Sequence, residues 1–437
     1  MKQIDLLIKP EWLVPVVPQG AVFQNCALAV DDGRIEAIVP VDEAVGLYQA
    51  ETTIELTGQA LLPGLVNAHG HSAMSLLRGY ADDLPLNTWL NEHIWPAESE
   101  WVGEEFVRDG ARLACGELIR TGTTCFSDMY FFPDTTVDTA SQAGLRSRIA
   151  FPVIDFPSAW AQSPDEYLHK GLELHDQYKN HPLANIAFGP HAPYTVSNST
   201  FERVAVLSEE LDAAIQVHLH ETQQEVEDSL SEHGVRPVTR LNQLGILGPR
   251  TEAVHMTQVS DEDLDTIKTT NTSVVHCPKS SLKMASGFYP ESQFLAKNIQ
   301  VGLGTDSAAS NNCLNMLEEM RFASLLGKTV SADATALSAE QSLHMATLGG
   351  ASVLGLESEI GSLEPGKLAD MISIRLDNLS SQPVYDVISQ IVYSAPTEAW
   401  NSWVQGKQLM QDGVLQTLNE TEVLARASDW REKISGK

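Results

Sequence analysis

Hydrophobic and polar positions change their spacing twice along the 437 residues of the chain. Up to about Gly58, short β-rich runs cover Ile4 to Ile8, Cys26 to Val30 and Arg34 to Val39, with Asp31-Asp32-Gly33 joining the last two. Runs of this kind around an Asp-Gly turn predict antiparallel strands. From Leu61 onward, short apolar or β-branched runs alternate with longer stretches of helical pattern. The runs end at Asn67, Asp128, Val153, Gly189, His218, His255, His276 and Thr305, and the stretches include Glu104 to Thr121, Phe201 to Leu211 and Gln223 to Leu230. Eight strand-then-helix units predict a parallel (β/α)8 TIM barrel, an α/β fold. Ser338 and Gln341 form a capping-box pattern that starts a helix running to about Gly350. A Gly361-to-Lys367 turn, β-rich Met371 to Arg375 and a hairpin around Asp412-Gly413 then lead to a polar terminal helix. The chain ends in short strands, as it began. Both ends therefore build one small composite β-sandwich, residues 1–59 and 366–437, interrupted by the barrel at 60–365.

Composition narrows the class. With 43% hydrophobic and 20% charged residues, the chain is an ordinary globular protein. A net charge of -30 argues against nucleic acid and anionic membrane surfaces as partners. Five widely spaced cysteines without a Cys-x-x-Cys pair point to a reducing compartment, so a cytoplasmic protein is expected. The N-terminus shows no signal-peptide pattern, and no apolar run approaches membrane-spanning length.

In parallel barrels, functional residues gather at the C-terminal ends of the strands. The first strand end offers His69 and His71, separated by one glycine and so on one face of the strand. The fourth offers His191, the fifth His218 and Glu221, the sixth His255, the seventh His276 and the eighth Asp306. His69, His71, His218 and Asp306 make a nitrogen-and-oxygen set suited to zinc, with ferrous iron as the alternative. Such an ion brings the pKa of water to about 7. The fourth strand, Ile186 to His191, holds no lysine that could bridge two ions, so one divalent metal is expected. Glu221 reads either as a helix cap or as a general acid for a ring nitrogen. His255 would orient the attacking water and stabilise developing charge, and Asp306 would also take a proton. His220 should face away by strand alternation. His276 is either a wall residue or a catalytic one.

Leu62 to His71, Val217-His218-Leu219-His220-Glu221-Thr222, Leu303-Gly304-Thr305-Asp306 and Gly361 to Asp370 together resemble the motifs of the amidohydrolase superfamily, in its aminohydrolase branch. Trp89-Leu90, Ile94 to Glu98, Gly189 to Tyr194 and Ser310-Asn311-Asn312 look most like the 5'-methylthioadenosine/S-adenosylhomocysteine deaminases. The resemblance covers nearly the whole chain. It implies metal ligands at His69, His71, His218 and Asp306, with Glu221 and His255 catalytic. It also implies substrate contacts: Glu98 to the ribose hydroxyls, His191 and Glu221 to the purine, and Trp89 to the apolar parts. A homodimer or higher homo-oligomer follows from the same resemblance. Two positions depart from the pattern. Phe151 stands where some relatives place an arginine for the S-adenosylhomocysteine carboxylate, and Ser281 stands where an asparagine is expected. An aromatic at 151 would favour a methylthio group over a charged tail, because an unpaired buried carboxylate is costly.

The expected function is therefore metal-dependent hydrolytic deamination of an adenosine-type nucleoside. The first choice is 5'-methylthioadenosine, giving 5'-methylthioinosine and ammonia, with S-adenosylhomocysteine or adenosine as further substrates. The alternatives are a deaminase or dechlorinase of a free purine, pterin or triazine ring, or a catalytically dead binding scaffold.

Overall fold

A computed structural model describes residues 1–436. Among the described residues, sixteen strands fall into two sheets of eight. The first four are β1 (Lys2–Leu13), β2 (Cys26–Asp31), β3 (Arg34–Pro40) and β4 (Tyr48–Pro63). The barrel strands are β5 (Leu65–Asn67), β6 (Thr123–Asp128), β7 (Arg146–Val153), β8 (Ala184–Pro190), β9 (Ile215–Leu219), β10 (Thr251–His255), β11 (Ser273–His276) and β12 (Val301–Leu303). The last four are β13 (Met371–Arg375), β14 (Asn401–Val404), β15 (Lys407–Gln411) and β16 (Val414–Leu415).

Strands β5 to β12 pair in sequence order, each parallel to the next, and every residue of the strands β9 to β12 is buried. This is the parallel (β/α)8 barrel, with strand ends within two residues of those expected from the sequence. The ring closes between β12 and β5. Ala68 N–H donates to the Leu303 carbonyl at 2.9 Å, and Asp306 N–H donates to the His69 carbonyl at 3.1 Å. The Asn67 side chain fastens the same seam, accepting from Thr305 N–H at 2.9 Å and donating to Thr305 Oγ1 at 2.8 Å. Closure thus sets His69 directly beside Asp306.

The second sheet draws on both chain ends in the order β16-β15-β14-β13-β4-β1-β2-β3. Asp32 and Gly33 turn β2 into β3 with positive φ of 49° and 72°, the conformation that an Asp-Gly hairpin requires. β4 joins the two ends, running parallel to β1 and antiparallel to β13. It continues to Pro63, whose partner is Met371, so the sheet gives way to the barrel at Gly64 rather than at residue 59. A buried Arg146–Asp370 ion pair at 3.0 Å ties β7 to the start of β13. The terminal helix, Glu420–Ser435, docks on the barrel helix Glu104–Arg120 instead of the sheet. Trp430 meets Phe106 edge-on at 5.3 Å and donates to Asp109 at 2.8 Å. No helix among the described residues is long and apolar enough to cross a membrane.

The tightest glycine at the seam is Gly304. A Cβ there would lie 2.9 Å from the His69 nitrogen and 3.0 Å from the His69 Cβ, whereas at Gly70 the nearest atom would be 3.5 Å away. Gly304→Ala is expected to destabilise the fold by about 1–3 kcal/mol through overpacking. Denaturant unfolding reads this, and an unchanged midpoint would show that the seam has slack.

Candidate metal centre and active site

Three imidazoles converge at the C-terminal mouth of the barrel. The Nε2 atom of His218 lies 3.2 Å from that of His69 and 3.4 Å from that of His71. On the far side of each ring, Nδ1 faces an oxygen: Gln216 Oε1 at 2.7 Å for His69, the Met129 carbonyl at 2.6 Å for His71, and the His191 carbonyl at 2.7 Å for His218. An oxygen acceptor fixes a ring proton on Nδ1, so a neutral ring turns the lone pair of Nε2 toward the centre. Bare lone pairs this close repel unless a cation lies between them. Asp306 Oδ1 completes the group, 3.3 Å from His71 Nε2 and 3.6 Å from His69 Nε2. The donor set fits a divalent ion such as zinc.

The electrostatics agree. Burial lowers His69 and His218 below the ordinary imidazole range, His218 strongly. Burial also pulls on His71, but the Asp306 carboxylate and the Met129 carbonyl outweigh it and push His71 up to about 9. Asp306 itself is held in place: Oδ2 accepts from Ser280 Oγ at 2.5 Å and Ser310 Oγ at 3.0 Å, and Oδ1 accepts from Ser307 N–H at 2.8 Å.

Glu221 and His255 flank this group, with 3.9 Å between the Glu221 carboxyl and His255 Nε2. The helix cap is not Glu221 but Thr222, whose hydroxyl accepts from Glu225 N–H. Glu225 in turn accepts from the backbone N–H groups of His220 and Glu221. The Glu221 side chain instead faces the cavity. Burial, with the nearby Asp306 charge adding to it, pushes Glu221 up to about 8, so it keeps a proton at neutral pH. Burial takes His255 down to about 4, leaving a neutral imidazole. His255 and Asp306 both have left-handed backbone, with φ of 80° and 60°. Non-glycine residues hold that conformation only where their surroundings fix it.

The group forms the floor of a cavity of about 520 Å³. Trp89, Glu98, His191 and Glu221 line it, as do the apolar side chains Trp95, Phe131, Phe156 and Met284. Tyr130 O–H donates to Glu98 at 2.7 Å, and burial nonetheless raises Glu98 to about 7. His191 Nδ1 meets Thr195 Oγ1 at 3.0 Å. Phe151 is a correction: it does not reach the cavity. Its ring packs against Phe188 at 4.8 Å and fills the space over Gly171, while its neighbours Pro152 and Ile154 line the cavity. The sequence reading therefore has the wrong face of β7 at this position. His276 also lies outside the cavity, stacked on Tyr289 at 4.2 Å. His220 bonds the Gln258 carbonyl and Val238 N–H on the other side of β9. Ser281 Oγ is buried without a partner.

Several residues at the site carry no sequence signal of their own. Gln216 sits inside the barrel below His69, donates to Glu252 at 2.7 Å, and Glu252 accepts from Arg148 at 2.6 Å. Inward-facing positions two residues apart on β9, Gln216 and His218, could have suggested the first of these. Glu252 and Arg148 are recognisable only once the barrel is closed.

A family model described as "Amidohydrolase family" matches residues 60–409. The chain belongs to the amidohydrolase family. It is 50% identical to a 5-methylthioadenosine/S-adenosylhomocysteine deaminase of Teredinibacter turnerae, over 99% of this chain and 98% of that one. A solved adenosine deaminase from Xanthomonas campestris with bound zinc is 44% identical and superposes with a TM-score of 0.98, covering both chains completely. An atrazine chlorohydrolase from Arthrobacter aurescens, complexed with zinc, is 24% identical with a TM-score of 0.91 over 97% of this chain and 99% of that one, a likeness of fold alone.

Gln216 gives a direct test of how His69 is oriented. Gln216→Leu removes the Nδ1 acceptor and is expected to weaken divalent-metal affinity about 10–100-fold. Competition against a chromogenic chelator measures this; an unchanged affinity would remove Gln216 from that role.

Proposed function

We propose that the chain is a metal-dependent hydrolytic deaminase of adenosine-type nucleosides, with 5'-methylthioadenosine its preferred substrate. The observation that carries this reading is the convergence of three imidazole Nε2 atoms and a carboxylate on the floor of a largely apolar cavity, with the protonated Glu221 beside them. The relatives named as nucleoside deaminases support it. His69, His71, His218 and Asp306 are the proposed ligands of one divalent ion, zinc before iron. Bound there, the ion would make water a usable nucleophile near neutral pH.

The chain's own residues supply the rest. Glu221 donates its proton to the purine ring nitrogen beside the amino-bearing carbon, which makes that carbon more electrophilic. Asp306 accepts a proton from the attacking water, and neutral His255 orients that water by hydrogen bonding. His191 contacts the purine. The ribose diol offers two donors to the Glu98 carboxylate, which Tyr130 holds in place. Trp89 and the neighbouring aromatics cover the 5'-thioether. The preference for a methylthio tail no longer rests on Phe151. It rests on the cavity wall, where no lysine or arginine appears among the described residues, so the carboxylate of S-adenosylhomocysteine would lack a cation. A cytoplasmic setting is in keeping with five free cysteines, and a homodimer or larger homo-oligomer is the assembly that fits the family.

Incubation of the metal-loaded protein with methylthioadenosine is expected to shift the ultraviolet spectrum and release ammonia. The kcat/KM should exceed that for S-adenosylhomocysteine by about tenfold or more, since desolvating an unpaired carboxylate costs at least that. No spectral change with metal bound would sink the proposal. Glu98→Ala separates a nucleoside site from a free-base site. Losing a charged hydrogen-bond acceptor should lower kcat/KM for nucleosides roughly 10–100-fold. Equal losses on a nucleoside and on adenine would count against ribose recognition.

A further inference from the structure

Outside the cavity, two turns meet in a way that the proposed reaction does not use. Lys279 opens the helix Pro278–Lys283 after β11, and Cys313 follows the short helix Ala308–Asn311 after β12. The Lys279 ammonium lies 2.7 Å from Cys313 Sγ. Sulfur is larger than oxygen, and 2.7 Å is already the short end for N–H···O bonds. Nitrogen and sulfur are therefore pressed together more closely than an ordinary N–H···S contact, yet remain farther apart than two bonded atoms. One oxygen bonded to both would hold them at about this spacing.

The surroundings keep the pair in register. Glu318 accepts from Lys279 Nζ and lies 3.4 Å from Cys313 Sγ. Glu319 accepts from Lys279 N–H at 3.0 Å and from Asn311 Nδ2 at 2.6 Å, which fixes both turns to one helix. Both residues are partly exposed, whereas Cys115, Cys125 and Cys277 are fully buried.

We propose that Lys279 and Cys313 are a modification site, at which a peroxide joins them through a single oxygen as an Nζ–O–Sγ link. The balance uses two peroxides. In the first step Sγ takes one oxygen, the O–O bond breaks, and water leaves a sulfenic acid. In the second step, the sulfenic oxygen bonds to the uncharged Nζ. The amine and the S–O–H group each lose a hydrogen, and the second peroxide is reduced to two waters. The lysine's extra proton passes to Glu318 or to solvent. Overall, thiol, amine and two peroxides give the link and three waters. The pair loses four electrons and the peroxides gain four. Burial raises the Cys313 thiol, with Lys279 opposing that, so oxidation is a slow response to sustained exposure. The link would lock together the two turns whose Ser280 and Ser310 hold the Asp306 carboxylate. It does not depend on the deaminase reading.

Peptide mapping by mass spectrometry on the full-length protein, before and after hydrogen peroxide, tests this. The expected product is one joined peptide that has gained one oxygen and lost two hydrogens. Tryptic cleavage after Lys279 should be lost, and a thiol reductant should restore both peptides. Cys313→Ser and Lys279→Arg should each abolish the link. In Lys279→Arg, Cys313 should instead gain oxygens without joining another peptide. Wild-type Cys313 that stays free, gains oxygens unlinked, or joins Lys279 without an oxygen would each overturn the proposal.

Discussion

The arrangement at the barrel mouth depends on one crowded contact: the Nε2 atom of His218 lies 3.2 Å from that of His69 and 3.4 Å from that of His71. Alone, these rings would turn away from each other or take up protons. They stay because each Nδ1 is fastened on its outer side to an oxygen that belongs to the barrel, either a backbone carbonyl or the amide of Gln216. The fold thus fixes which nitrogen of each ring faces the centre. Only then does the chemistry of four donors around one centre become available.

The constraint reaches down through the barrel and across its seam. Below His69, Gln216, Glu252 and Arg148 form a charged chain inside the barrel, and Arg148 also reaches the Leu354 carbonyl. Burying that ion pair is tolerable because the opposite charges compensate each other and are bonded further by the Leu354 carbonyl and Gln216. At the seam, Gly304 and Asn67 bring β12 against β5, so Asp306 stands opposite His69 and His71 although 235 residues separate it from His71 in the sequence. Ser280 and Ser310 hold the other carboxylate oxygen. Proton placement, ring orientation and carboxylate position therefore come from different strands that meet only after closure.

How much of this was legible in the sequence follows from the same geometry. Strand ends could be read because polar residues such as His218 and Asp306 interrupt long apolar runs at fixed places in each unit. Phe151 could not be placed, because Arg146 to Val153 is buried on both faces and its pattern carries no phase. The sequence position suggests a cavity residue, whereas the structure gives it to the helix layer over Gly171. The short-strand pattern ends at about Gly58 in the sequence, which places the sheet-to-barrel joint at residue 59. Gly58 does have positive φ, 71°, but β4 runs on through it by pairing with β13, a strand more than 300 residues later. The supporting chain of Gln216, Glu252 and Arg148 is likewise a product of three-dimensional pairing that no local pattern announces.

These observations bear on what an ion does for the protein beyond catalysis. The folded chain holds Asp306 and His255 in left-handed backbone, each costing of the order of 1–3 kcal/mol, together with three crowded imidazole nitrogens. Every one of these costs is present in the folded state alone. A cation that satisfies the nitrogens and the carboxylate binds only that state, so its binding free energy adds directly to folding stability. The strain at the barrel mouth and the affinity for metal are then two sides of one arrangement. The seam holds the donors in a crowded geometry that a positive charge among them relieves.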